Sequence, residues 1–181
     1  MVSTTMERAL QFLRNHKDVT LATSEGNIPK LRIFQVMKQE GNVLYFATSE
    51  QKAPIKREKS DARIDSSERE EARPEAMAVW RELRKNPNVE LIAFEGNISV
   101  RCSGMVNFNV EDETKRWIYE HNDVLQRLYS NYAQMVYFCL PIAEMDYYDL
   151  QPTPPAFLHF DLIAGEVSEG FMPTTSSAKS F

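Results

Sequence analysis

The stretch from Val19 to Ser49 reads VTLATSEGNIPKLRIFQVMKQEGNVLYFATS. It holds three apolar runs of strand length, VTLATS (19–24), KLRIFQVM (30–37) and VLYFATS (43–49). They are rich in Val, Ile, Thr, Phe and Tyr, the residues that suit a pleated, half-buried surface. EGNIP and KQEGN separate them, and Gly and Asn tolerate the positive φ of tight hairpin turns. Residues 19–49 therefore read as a three-stranded antiparallel meander. The tripeptide EGN begins at Glu25, Glu40 and Glu95 with no fixed period. It is hairpin punctuation, not the mark of a repeat protein.

Upstream, TMERALQFLRNH (5–16) places Ala9, Leu10, Phe12 and Leu13 on one helical face, with Thr5 as a candidate cap. Downstream, residues 53–76 are mostly charged, mix both signs and contain Pro54 and Pro74. The i,i+4 pairs Arg57–Asp61 and Asp65–Arg69 suit a solvated helix or a mobile excursion. EAMAVWRELRKN (75–86) is amphipathic, with Met77, Val79, Trp80 and Leu83 on the apolar side, and Asn86-Pro87-Asn88 stops it. A strand pair follows at 89–94 and 98–108, with Gly104 a candidate bulge or bend. Two helices are expected over 110–122 and 123–132, then a long strand over 135–150 in which Pro141 signals an edge or a break. Six strands with helices between them give a mainly β class, a closed or split antiparallel barrel with flanking helices. The expected organisation is one domain over 1–150, carrying the charged insert 53–76, and a C-terminal arm or tail over 151–181.

The chain has 181 residues, 43% of them hydrophobic, and a formal net charge of −5. That is enough for one core, and an acidic balance argues against a general nucleic-acid binder. Apolar runs are of strand length, too short for a membrane span, and the N-terminus lacks the pattern of a signal peptide. A cytoplasmic protein is expected. Cys102 and Cys139 lie in strands without metal or nucleophile spacing and read as small core residues. His16, His121 and His159 are far apart in sequence and show no ligand spacing. No metal site is expected, and no side chain reads as an obligatory acid or base, so none is assigned as catalytic.

One cluster does point to chemistry. Arg32 lies in the second strand, Thr48 and Ser49 end the third, and Lys52 follows. A meander sets the end of its third strand beside the start of its second. Two cations, two hydroxyls and backbone N–H groups near a helix start suit an anion. The alternative is that Arg32 is a rim residue paired with a carboxylate and Lys52 is simply solvated.

Taken together, LATSEGNIPKLRIFQVMKQEGNVLYFATSEQK, VWRELRKNPNVELIAF and ISVRCSGMVNF resemble the pyridoxamine 5′-phosphate oxidase-like family, closest to its general-stress-protein-26-like branch. The resemblance spans roughly residues 6–150 and implies an FMN-binding six-stranded antiparallel split β-barrel. It implies that Arg32 approaches the FMN phosphate. It sets Ile33, Phe34 and Gln35 along the isoalloxazine ring, Thr48 and Ser49 near the phosphate and ribityl chain, and Lys52 as the second phosphate cation. It also implies a homodimer with the flavin at the interface, and an FMN-dependent oxidoreductase acting on a small molecule. The insert 53–76 departs from the family pattern directly after Lys52, where Lys56 or Arg57 can substitute. The tail lacks a motif for the pyridoxamine-phosphate oxidase reaction itself. The alternatives are a flavin or haem carrier or sensor on the same barrel, with His159 or His121 as axial ligand, use of the deazaflavin F420, and a dimeric interaction scaffold that has lost its site.

Overall fold

The computed structural model describes the backbone over residues 2–49 and 75–170, and side chains over 5–49 and 79–170. Lys52, residues 53–74 of the insert, the side chain of Met77 and the tail beyond 170 lie outside the described residues. The elements run α1 (Val2–Asn15), β1 (Asp18–Glu25), β2 (Ile28–Gln35), β3 (Lys38–Glu40), β4 (Val43–Ser49), α2 (Glu75–Lys85), β5 (Asn88–Glu95), β6 (Ile98–Met105), α3 (Asp112–Glu120), α4 (Asp123–Leu128), β7 (Met135–Asp149), β8 (Ala156–Asp161) and β9 (Glu166–Gly170). The fold is mainly β: an antiparallel sheet curled into a split barrel with flanking helices.

All three EGN corners are tight turns, with Gly26, Gly41 and Gly96 at φ of 59, 57 and 56°. These left-handed conformations cost a side-chain-bearing residue energy that glycine avoids. The meander is present in altered form. Its middle strand breaks at Val36–Met37, so β2 pairs with β1 while β3 pairs with β4. A small barrel must turn a corner to close, and one strand shared between two neighbours makes that corner. The expected adjacency of strand-three end and strand-two start is accordingly not a ladder: β4 pairs with β3 and β7.

The long strand β7 also changes neighbours along its length. Its first half, to Pro141, pairs with β4, and its second half, from Ile142, pairs with β6. Pro141 has no N–H to give a ladder and sits where the strand changes partner. Opposite it the register slips between Ser103 and Gly104. A Cβ on Gly104 would lie 2.5 Å from the Pro141 carbonyl oxygen, so the bulge needs glycine.

Inside the barrel, Phe46 and Phe138 stack with centroids 5.2 Å apart, and Phe34 meets both edge-on. Leu21, Leu44, Leu91, Val100, Cys102, Leu140 and Met145 fill the rest. Ala9, Leu10 and Leu13 of α1, and Val79 and Leu83 of α2, pack on the same core. A second apolar cluster lies outside the barrel wall. There α3 and α4 bring Ile118 and Leu125 onto Tyr137 and Cys139 of β7 and onto Tyr45 and Ala47 of β4. The C-terminal arm read from the sequence is, over 156–170, a hairpin: β8 pairs with β7 and β9 with β8. Alternating Phe157, His159 and Asp161 with Leu158 and Phe160 gives that stretch a strand period, which its proline-rich approach obscured.

Candidate functional site

Strand β2 has two unlike faces. Lys30, Arg32 and Phe34 point toward the barrel and are half-buried, whereas Leu31 is 70% and Ile33 78% exposed, and Gln35 is exposed beside them. Alternation of this kind follows from the strand's two-residue period. Thr20 of β1 stands opposite both Ile33 and Ile92 of β5. The outer face therefore continues as apolar surface to Ile92 (38% exposed) and Phe94 (72% exposed). Monomeric proteins seldom leave a contiguous patch of this sort without a use for it. The row then turns polar. Arg101 donates from Nε to Asp146 at 2.8 Å, and His159 donates from Nδ1 to the other Asp146 oxygen at 2.7 Å.

The inward cations of β2 meet a carboxylate. Glu82, on α2, is 2% exposed. Its Oε2 accepts from Arg32 Nη1 at 2.9 Å and from Thr23 Oγ1 at 3.1 Å. Its Oε1 accepts from Lys30 Nζ at 2.9 Å and from Arg32 Nη2 at 3.1 Å. Arg32 Nη1 also donates to Thr23 Oγ1 at 2.9 Å. Burial alone would push the Glu82 carboxyl up. The hydrogen bonds from Lys30 and Arg32 outweigh burial and hold it below the ordinary carboxylate range, because an ionised acceptor gains most from cationic donors.

Arg32 is thus placed at the barrel rim, paired with a carboxylate, as one reading of the sequence had it. Phe34 points into the core. Ile33 and Gln35 are on the outer face. Thr48 shares the inward parity of Leu44 and Phe46, and Ser49 the outward parity of Ala47, at the far end of β4. β2 and β4 share no ladder, so the strand pairing does not set Thr48 and Ser49 beside Arg32. A flat apolar ring with a polar edge fits the outer face of Leu31, Ile33 and Gln35. The phosphate end does not fit the residues as they stand, because the Arg32 guanidinium is already bonded to Glu82. The sequence reading missed Glu82, although a signal was available. Glu82 lies three residues after Val79 and next to Leu83, a charge on the buried side of an amphipathic helix, which calls for a buried partner.

A cleft of about 740 Å³ opens beside the ends of β1, β5 and β6. Glu90 and Glu144 line it, and two carboxylates disfavour a phosphate there. Among the described residues no group of three or more His, Cys, Asp or Glu side chains could hold a metal ion, and no helix is long and apolar enough to cross a membrane. Burial pushes the thiols of Cys102 and Cys139 up, which makes both inert.

The barrel has solved counterparts. A Clostridium acetobutylicum protein related to general stress protein 26 of B. subtilis, of the pyridoxinephosphate oxidase family, superposes with a TM-score of 0.61 at 13% identity, covering 90% of this chain and 98% of that one. A pyridoxamine 5′-phosphate oxidase-related, FMN-binding protein from Nostoc punctiforme gives 0.62 at 12% identity, over 94% and 96%. The fold is the split barrel of the pyridoxamine 5′-phosphate oxidase-like proteins. A haem-binding protein from Mycobacterium smegmatis also shares this split barrel, with a TM-score of 0.55 at 12% identity over 92% of this chain and 57% of that one. No family model matches the sequence, and no curated protein does.

Proposed function

We propose that the chain is an FMN-binding flavoprotein of the cytoplasm, a homodimer that works as an oxidoreductase on a small molecule. The observation that carries this reading is the bare apolar outer face of β2, β1 and β5, on a fold that FMN-binding proteins share. Leu31, Ile33 and Phe94 are too exposed for an isolated chain to favour. A flavin ring and a second copy would cover them together. Ile33 and Gln35 would flank the ring, with the backbone of Phe34 between them. Thr48 and Ser49 are proposed to hydrogen-bond the ribityl chain and phosphate, and Lys52 to neutralise the phosphate, joined by Arg32 only where it is released from Glu82. The flavin would supply the electron transfer, and the protein the binding, orientation and shielding from water.

The test is direct. Purified protein should show a flavin absorption band, or should quench FMN fluorescence on titration, and should sediment as a dimer. A colourless protein that neither quenches added FMN nor gains thermal stability from it refutes the reading. Oxidation of NADH or NADPH with an acceptor then separates an enzyme from a carrier.

One observation favours haem as the second reading. Asp146 fixes His159 through Nδ1, and such a carboxylate partner orients the free Nε2 as a metal ligand. A haem spectrum that is lost in His159→Ala would establish this reading in place of the first.

A further inference from the structure

Glu82 occupies the place that an anion would take. Its two oxygens receive two hydrogen bonds each, from one ammonium, one guanidinium and one hydroxyl. These are the donors that a phosphate recruits. The cluster is also electrically closed: Glu25 and Glu82 balance Lys30 and Arg32. A phosphate brought to Arg32 would meet a carboxylate on the same donors, and two like charges cannot share one small site without a large penalty. Arg32 and Lys30 nonetheless remain accessible, with side chains 18% and 29% exposed, while Glu82 comes from the interior side at 2%. The cations can therefore be reached from solvent and are held from within.

We propose that Glu82 is a resident stand-in for phosphate: it competes with the flavin phosphate for Arg32 and Lys30, and an anion loads there only when Glu82 releases them. The proposal rests on the flavin reading and adds its control. Flavin affinity is set by a contact between α2 and β2, not by the ring face alone. A purely architectural ion pair would make Glu82→Gln less stable without making it sensitive to phosphate. A competitor makes it both.

The experiment compares the full chain with Glu82→Gln. FMN and riboflavin, which lacks the phosphate, are titrated by fluorescence quenching. Thermal melts are run in inorganic phosphate and in chloride at equal ionic strength. FMN is expected to bind Glu82→Gln at least about tenfold more tightly than the native chain, the scale of one charged hydrogen bond regained. Riboflavin affinity should not change. Phosphate should raise the melting temperature of the variant and not of the native chain, and adding Arg32→Ala should abolish both gains. Equal FMN affinity in the two proteins, or a gain that riboflavin shares, overturns the proposal and leaves the flavin reading standing. Phosphate protection of the variant with no flavin binding upholds the competition and refutes the flavin reading. No FMN binding by either protein, together with no phosphate protection of the variant, refutes both. Should Glu82→Gln fail to fold, Glu82→Asp keeps the charge and shortens its reach. It is expected to show a smaller gain of the same kind, and no gain there overturns the proposal.

Discussion

The two outer walls of the barrel are built from similar strands and are treated oppositely. On the wall of β4 and the first half of β7, Tyr45, Ala47, Tyr137 and Cys139 are roofed by Ile118 and Leu125 of α3 and α4. On the wall of β2, β1 and β5, Leu31, Ile33 and Phe94 have no such roof among the described residues and stand 70%, 78% and 72% exposed. Two helices cover the first wall, and none of the described elements covers the second. Apolar side chains on both walls therefore have different meanings: the first set contributes to folding, the second to association or ligand binding.

That contrast can be broken experimentally. Ile118→Ala on the roofed wall should cost about 2–5 kcal/mol of stability, the usual range for emptying a buried aliphatic site, as measured by urea denaturation. If the loss is below about 1 kcal/mol, α3 does not seal that wall. Arg32→Ala, on the inner side of the bare wall, removes the principal partner of buried Glu82. The expected loss is about 3 kcal/mol, the low end for a broken buried pair because Lys30 remains. Ile33→Asp on the bare wall should barely alter the unfolding of a monomer. It should weaken a dimer by about thirtyfold or more, the effect of losing an interface hot spot. Sedimentation at several concentrations reads this, and an unchanged dimer would place the interface elsewhere.

The smallest effect concerns the end of the bare wall, where α1 is tied to the β5–β6 corner. His16 Nδ1 faces the Phe12 carbonyl oxygen at 2.7 Å, and Nε2 faces a Glu95 carboxylate oxygen at 2.6 Å. Two acceptors call for two N–H donors, hence an imidazolium. The Phe12 carbonyl foremost, and then Glu95 against the opposing effect of burial, raise the His16 pKa above its ordinary 6.5. A raised value in the folded state means that the tie is fully present below the unfolded value and is lost as pH rises through the folded one. Stability should therefore decline slightly as pH rises above the ordinary 6.5 of the imidazole. His16→Ala should remove that slope, and a slope of the same size in the variant would assign it to another group.

Local signals were the legible ones. Alternating apolar residues placed the strands, the glycines of EGN placed the corners, and Ala9, Leu10 and Leu13 placed the face of α1. What escaped were features that depend on distant partners. Nothing local in KLRIFQVM shows that it will break at Val36–Met37, because the break serves barrel closure. Pro141 announced an irregularity, but only the pairing shows that it marks a change of neighbour. In the candidate site, the anion chemistry of Arg32 was visible and the identity of its partner was not. Glu82 lies far along the chain, beyond an insert that hides which helix face returns to β2. The hairpin over 156–170 was hidden by a run of prolines just before it.

The approach of Gly104 to Pro141 has a further consequence, for how this sequence can drift. A methyl group at 104 would collide with the carbonyl oxygen of 141 and with Leu140 Cδ1, at 2.5 and 2.9 Å. Relief would require β7 to move, and β7 is bound to β4 on one side of that point and to β6 on the other. The two positions are therefore not free to vary singly. Among descendants of this chain, a residue larger than glycine at 104 should be found only where the strand opposite has changed its course as well.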